Sequence, residues 1–232
     1  SDVARSRLPE AGKPPVADFP EIERARMSNG LEVVFVRRDA VPVVDFRMMV
    51  DAGSASDAWS AAGTASLAVG MLDEGTDSRT ALEISDELQR LGARLGAITS
   101  LDVSNVTLSA LRENLDRSVD LFADVILNPS FPQGDFKRLQ RQALAEIQQE
   151  SIRPRAMASR VLPKLMYGEG HPYALSLTGS GTAVSVGGLT TDDLQHFHST
   201  WFKPNNAQLL VVGNTTMDEV MVLAEGAFGG WE

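Results

Sequence analysis

Apolar and polar residues alternate in several short segments of the chain, which predicts β-strands. Leu31 to Arg37 is rich in Val and Phe, and Val43 to Val50 carries an apolar residue at every second position. Ala93 to Ala110 is predicted to form two short strands, and Ala207 to Val212 a buried strand. Because such alternation is typical of a sheet covered on one side, we expect the sheet to be mostly antiparallel.

Apolar residues three to four positions apart predict helices in the rest of the chain. Capping signals mark some of their ends, such as Gly92 after one helix and Glu219 three positions after Thr216. The Gly- and Ser-rich region from Gly168 to Gly188 is predicted to be a loop. The predicted helices are Gly63 to Asp73, Thr80 to Leu91, Glu113 to Leu127, Asp135 to about Ile152, Ala156 to Met166, and two that begin at Thr190 and Thr216.

This order of elements predicts an α+β fold, in which the helices pack mainly on one face of the sheet. We expect residues 21–232 to form one domain. Residues 1–20 contain four prolines among charged and small residues, so they are predicted to be a linker or an extended tether. They contain no apolar segment of a secretory signal and no initiator Met, so we expect the sequence to be a processed or trimmed piece.

The composition of the chain argues against several classes of partner and of chemical site. The chain has 232 residues and a net charge of −10, which argues against nucleic acid or an anionic membrane as the main partner. No apolar run approaches the roughly 20 residues that a transmembrane helix needs. The sequence contains no cysteine, which excludes thiolate zinc sites and cysteine nucleophiles.

The residues that could carry chemistry are few. Among the three histidines, His196 and His198 would point about 200° apart on a regular helix and cannot share one metal ion, and His171 has no partner at ligand spacing. Ser66 lies outside a GxSxG motif and has no evident base or orienting acid. Glu146 falls at the edge of the apolar stripe of its predicted helix, where an acid is usually a rim residue and sometimes a site residue.

A series of short motifs resembles the pitrilysin-like M16 metallopeptidases. In the family's own order, Met27 to Phe35 resembles "xNGLxVxxx", Gly63 to Thr76 resembles "GxAHxxEHMLxxGT", His171 to Tyr173 resembles "HPY", and Phe202 to Asn214 resembles "YxPxNxxLxxxGd". The resemblance extends from about residue 22 to the C-terminus. It implies the LuxS/mitochondrial processing peptidase-like metallohydrolase fold.

The resemblance also implies that the catalytic residues of the family are missing here. In active members the two histidines of HxxEH bind zinc, the glutamate between them acts as general base, and a distant glutamate is the third protein ligand. Residue by residue, the first His position falls on Ser66, the base on Val69 and the second His on Gly70. The distant ligand falls on Glu146, as the remnant of a metal site. We therefore expect no catalytic residue and no intact metal site in this chain.

The chain is similar to the first domain of an inactive half of such a peptidase. This implies that it pairs with a zinc-bearing half carrying HxxEH, helps to bind a peptide substrate, and is inactive alone, while the parent assembly is a zinc metalloendopeptidase. A dimer is compatible with this pairing, and the resemblance to bacterial members implies the periplasm. Two alternatives stay open: a purely structural subunit similar to respiratory core proteins, and chemistry rebuilt around Ser66 or Glu146.

Overall fold

We describe a computed structural model of the chain, which covers residues 19–57 and 61–232 together with Gly12. Its strands are β1 (Glu23–Arg26), β2 (Glu32–Arg37), β3 (Val43–Val50), β4 (Arg94–Thr99), β5 (Ser104–Leu111) and β6 (Ala207–Gly213). Its helices are α1 (Thr64–Gly70), α2 (Ala81–Leu91), α3 (Leu115–Leu127), α4 (Gln133–Glu150), α5 (Pro154–Tyr167), α6 (Ala183–Gly188), α7 (Thr191–Trp201) and α8 (Met217–Phe228).

The six strands form one sheet in the order β1-β2-β6-β3-β5-β4. All neighbouring pairs are antiparallel except β2 and β6, which run parallel. The parallel pair arises because β6 returns to the centre of the sheet after the run of helices from α3 to α7. The predicted α+β fold with a mostly antiparallel sheet is confirmed.

The alternation in β3 decides which face of the sheet is buried. Val44, Phe46, Met48 and Val50 are at most 3% exposed, and they belong to the main hydrophobic cluster. The helices contribute apolar stripes to the same cluster, so that Phe122 of α3 lies within 6.3 Å of the Phe46 ring, measured between centroids. The helices therefore cover mainly one face of the sheet, as predicted.

Two elements differ from the expectation. The first strand predicted from the sequence is Leu31 to Arg37, but β1 precedes it and pairs with β2. The sequence of β1, Glu-Arg-Ala-Arg, has no apolar alternation, and edge strands are often charged. The predicted loop from Gly168 to Gly188 contains α6. That helix forms because Thr182 and Ser185 make a capping box, and because the side-chain amide of Gln140 donates hydrogen bonds to the carbonyls that end it.

The predicted linker over residues 1–20 lies outside the described residues except for Gly12, Phe19 and Pro20. The extent of a single domain over residues 21–232 stays a prediction. None of the helices in the described residues is both long enough and apolar enough to cross a bilayer.

Candidate functional site

Helix α1 is held in place at its N-terminus by a buried carboxylate. The backbone N–H groups of Gly63 and Ala65 donate hydrogen bonds to the Asp57 carboxylate, at 2.6 and 2.9 Å. Gly63 adopts φ = 100°, in the left-handed region that glycine tolerates best. Burial raises the pKa of Asp57 to about 6, because desolvation outweighs the hydrogen bonds that favour the charged form.

A cleft of about 330 Å³ lies between α1 and α4, and it contains three of the four positions singled out from the sequence. Ser66 and Gly70 reach it from α1, one helical turn apart, and Glu146 reaches it from α4. Because residues at i and i+4 share a helix face, Ser66 and Gly70 point to the same side. The fold thus brings together residues that are 76 or more positions apart in the sequence.

The fourth position, Val69, lies on the other side of α1. Its side chain is 1% exposed and belongs to the hydrophobic core. It does not line the cleft. Only the two histidine positions and the distant ligand position of the HxxEH pattern therefore meet at the cleft.

The contacts of these residues argue against a zinc ion held here. The Ser66 hydroxyl donates a hydrogen bond to the carbonyl of Gly179 at 3.0 Å, and Gly70 has no side chain. Glu146 accepts a hydrogen bond from the Gln142 amide at 3.1 Å. Protein zinc sites use three or four Cys, His or carboxylate ligands. The cleft offers Glu146, a second carboxylate, Glu150, that is paired with Arg160, and a serine hydroxyl that already donates a hydrogen bond. The residues do not fit zinc, and no group of three potential ligands occurs in the described part of the chain.

No sequence pattern predicted the ion pair that lies at one end of the cleft. Arg160 of α5 forms a salt bridge with Glu150, the last residue of α4. The Arg160 guanidinium also donates to the Ser180 hydroxyl at 2.8 Å and to the Gly181 carbonyl at 2.5 Å. These contacts tie the loop before α6 to both helices. They join residues from three elements, so no local periodicity could have predicted them.

The three histidines lie apart from the cleft. His198 of α7 is largely buried, its Nε2 atom lies 2.7 Å from the carbonyl oxygen of Ile126, and burial lowers its pKa. His196 is exposed. His171 stacks on Tyr167, with ring centroids 5.1 Å apart. These contacts account for His171 and His198 without a metal ion.

Strand β4 forms one edge of the sheet and lies next to α1. The Thr99 hydroxyl at the end of β4 donates to the carbonyl of Ala65 at 3.4 Å, and Ala65 immediately precedes Ser66 of the cleft. In the described residues, β4 pairs with β5 on one side and with no strand on the other. An extended peptide added to this edge would therefore pass close to the α1 side of the cleft.

The sequence of the chain matches the models of two protein families. The model described as insulinase (peptidase family M16) matches residues 32–180, and the model described as peptidase M16 inactive domain matches residues 188–232. The first match alone covers more than half of the chain and includes α1, α4 and every residue that lines the cleft except Val186.

Individual proteins agree with these family matches. The chain is 28% identical over 206 residues to an uncharacterized zinc protease of Mycobacterium leprae, covering 89% of this chain and 46% of that protein. The crystal structure of a peptidase M16 inactive domain from Pseudomonas fluorescens superposes with a TM-score of 0.85 at 28% identity, covering 90% of this chain and 50% of that one. The periplasmic protease PqqL from Escherichia coli shares the fold, with a TM-score of 0.80 at 17% identity over 93% of this chain and 25% of PqqL. The chain spans about half the length of the curated relatives it matches.

Proposed function

The chain belongs to peptidase family M16, and we propose that within this family it is a non-catalytic domain that pairs with a zinc-bearing half and helps to bind its peptide substrate. The observation that carries this proposal is the cleft between α1 and α4. By the motif resemblance, Ser66, Gly70 and Glu146 stand at the ligand positions of the family's zinc site, and all three line this cleft, but Ser66 and Gly70 supply no nitrogen ligand. Glu146 is then a remnant of the ligand set. Cleavage would be performed by a zinc site in the partner half.

Peptide binding is supported by the open edge of the sheet. Strand β4 offers its outer backbone groups to an additional strand, and backbone hydrogen bonds can hold an extended peptide regardless of its side chains. The adjacent cleft could then distinguish one side chain of that peptide. Binding without cleavage is the role that we propose for this geometry, because the residues lining the cleft do not form the ligand set of a zinc site.

Pairing is supported by the unusual surface of α5. Met157, Val161 and Leu165 occupy positions i, i+4 and i+8, so they form one outward stripe, and they are 47%, 56% and 77% exposed. Exposed apolar patches on proteins often mark interaction surfaces. The zinc-bearing half is the occupant we propose, because the relatives named above as proteases are about two or four times as long as this chain.

The proposal is tested with the chain alone and with an HxxEH-bearing M16 half from the same organism, expressed together. We expect the chain alone to bind no stoichiometric zinc and to cleave no peptide, and the co-purified pair to contain one zinc and to cleave. One tightly bound zinc per isolated chain would overturn the proposal. Stable association with a respiratory membrane complex, without any proteolysis, would favour a purely structural role.

The α5 surface is tested by the double variant Val161→Asp/Leu165→Asp. We expect it to weaken association with the zinc-bearing half at least tenfold, because two charges would be placed in an apolar interface. Leu82→Asp on α2 is the control, since Leu82 is also 78% exposed but stands on another helix. Equal affinities for the wild type, the double variant and the control would remove α5 from the interface.

The periplasm is the compartment that we propose for this pairing. The support is that PqqL from Escherichia coli, a periplasmic protease, shares the fold. Fractionation of the native organism, with antibody detection of the protein, tests this directly: recovery with cytoplasmic markers would contradict it.

A further inference from the structure

The cleft between α1 and α4 combines apolar walls with one carboxylate, Glu146, that forms no ion pair within the described part of the chain. We propose that it receives a lysine or arginine side chain of the bound peptide, with Glu146 as the counter-ion. This inference rests on the proposed peptide-binding function and adds the substrate class. It assigns the cleft a new use in place of the metal site that its residues do not fit.

The walls of the cleft suit the aliphatic part of a long basic side chain. Leu67 of α1 and Leu139 and Ala143 of α4 line it, together with Val186 of α6. Lysine and arginine place their methylene groups along apolar surfaces while the charged end reaches a polar partner. A short polar side chain would leave these walls in contact with water.

The charge in the cleft comes from Glu146. Glu150 also lines the cleft, but Arg160 neutralises it through their salt bridge and holds it at the end of α4. In the described residues, Glu146 forms no salt bridge, and its one side-chain hydrogen bond comes from the neutral Gln142 amide. The cleft therefore carries about one net negative charge, which suits a single cationic group.

The size of the cleft also fits one side chain. Its volume of about 330 Å³ lies at the lower end of the range for small-molecule sites. A Cβ atom at Gly70 would meet no atom within 4 Å, so this position leaves the side of α1 open. Histidine side chains at positions 66 and 70 would occupy that space. The same two positions that fail to bind zinc thus leave room for a ligand.

The cleft lies close to β4, the strand with which the peptide is proposed to pair. Thr99 of β4 contacts Ala65, and the next residue, Ser66, lines the cleft. Successive side chains of an added strand point to opposite faces, so one side chain can enter the cleft while the peptide backbone pairs with β4. The cleft then selects a single position of the peptide.

The experiment compares two fluorescent peptides of extended sequence that differ at one central residue, arginine or its neutral isostere citrulline. Affinity for the full chain is measured by fluorescence anisotropy at low and at physiological salt. We expect the arginine peptide to bind roughly three- to tenfold more tightly, and the difference to shrink at higher salt because the site is partly exposed.

Glu146→Gln removes the charge but keeps the shape of the side chain. We expect it to lower the affinity for the arginine peptide to about that for the citrulline peptide, so that the preference for arginine is lost. Glu225→Gln, at an exposed position of α8, changes the net charge equally and should keep the preference.

The possible failures are distinguishable. Tight binding of both peptides with equal affinity would overturn this inference and leave the peptide-binding function standing. A preference that survives Glu146→Gln would also overturn it, because another group would then provide the charge. Binding of neither peptide would overturn the proposed function, and this inference with it.

Discussion

The two sides of helix α1 differ in what they contribute to the protein. One side, with Ala65, Ala68 and Val69, is almost fully buried in the core. The other side, with Ser66 and Gly70, lines an open cleft and makes a single side-chain hydrogen bond. The buried side holds the helix in the fold, and the cleft side carries the two positions of α1 at which the family resemblance expects metal ligands. Helix α1 can therefore stay packed in the fold without the residues that would bind a metal ion.

The largest expected effect is the return of a metal site on the cleft side. Ser66→His/Gly70→His would place two imidazoles one turn apart, facing Glu146 across the cleft, which is a three-ligand set for zinc. We expect this double variant to bind one zinc per chain with micromolar affinity or better, measured by competition with a chromogenic chelator, while the wild type binds none.

Adding Glu146→Gln to the double variant is the control for the third ligand. We expect the affinity for zinc to fall by at least tenfold, because a neutral amide is a poor zinc ligand. Unchanged affinity would show that Glu146 does not reach the metal, and the role predicted for it would be wrong.

The next largest effect is expected when asparagine is placed on the buried side of α1 and, for comparison, on its cleft side. Val69→Asn would bury an amide without partners and remove apolar contact, so we expect it to lower the free energy of unfolding by about 3 to 4 kcal/mol. Ser66→Asn faces the cleft and should cost less than about 1 kcal/mol. Urea denaturation measures both, and equal losses would contradict the difference between the sides.

The Asp57 carboxylate, which holds the N-terminus of α1, should make the stability of the protein depend on pH. The pKa of Asp57 is raised to about 6 in the folded protein from 3.8. The folded state thus binds the proton more tightly, so this group stabilises the fold fully below about pH 4, and that contribution is lost as the pH rises through about 6. The loss amounts to about 2 to 3 kcal/mol.

The variant Asp57→Asn isolates the pH-dependent contribution of Asp57 to the free energy of unfolding, because asparagine does not titrate. We expect the difference in unfolding free energy, wild type minus variant, to decrease between pH 4 and pH 7 and then to level off. A difference that grows with pH would mean that the hydrogen bonds from Gly63 and Ala65 outweigh burial, and that the pKa of Asp57 is lowered instead.

The smallest effect concerns Gly70 at the end of α1. Its φ angle is not positive, and an added Cβ would meet no atom within 4 Å. Gly70→Ala should therefore raise the free energy of unfolding by up to about 1 kcal/mol, because alanine loses less backbone entropy in a helix. A thermal scan measures the gain. A loss of stability would mean that the cleft side of α1 is as constrained as the buried side.

Local patterns predicted much of the fold. Alternation identified β3, and the capping box predicted from Thr216 and Glu219 begins α8. Helices α2 and α7 begin beside the predicted starts at Thr80 and Thr190, where the structure shows two further capping boxes. The pattern missed β1 because charged edge strands carry no apolar signal. It missed α6 because its stability depends on Gln140, a residue more than forty positions away.

The candidate site was predictable only in part. Motif order pointed to Ser66, Val69, Gly70 and Glu146, and the structure brings three of them to one cleft. The roles assigned to the four positions stay a prediction. The burial of Val69 away from the cleft depends on the rotation of α1, which its packing against β4 and α7 decides.

The sequence by itself determined the types of the main elements and the residues absent from the HxxEH pattern, because both depend on local spacing and on side-chain chemistry. Only the tertiary structure decided that Glu146 faces Ser66 and Gly70, that Arg160 neutralises Glu150, and that β4 leaves an edge beside the cleft. These relations join segments far apart in the chain. They depend on how the helices pack on the sheet, and no local pattern records that packing.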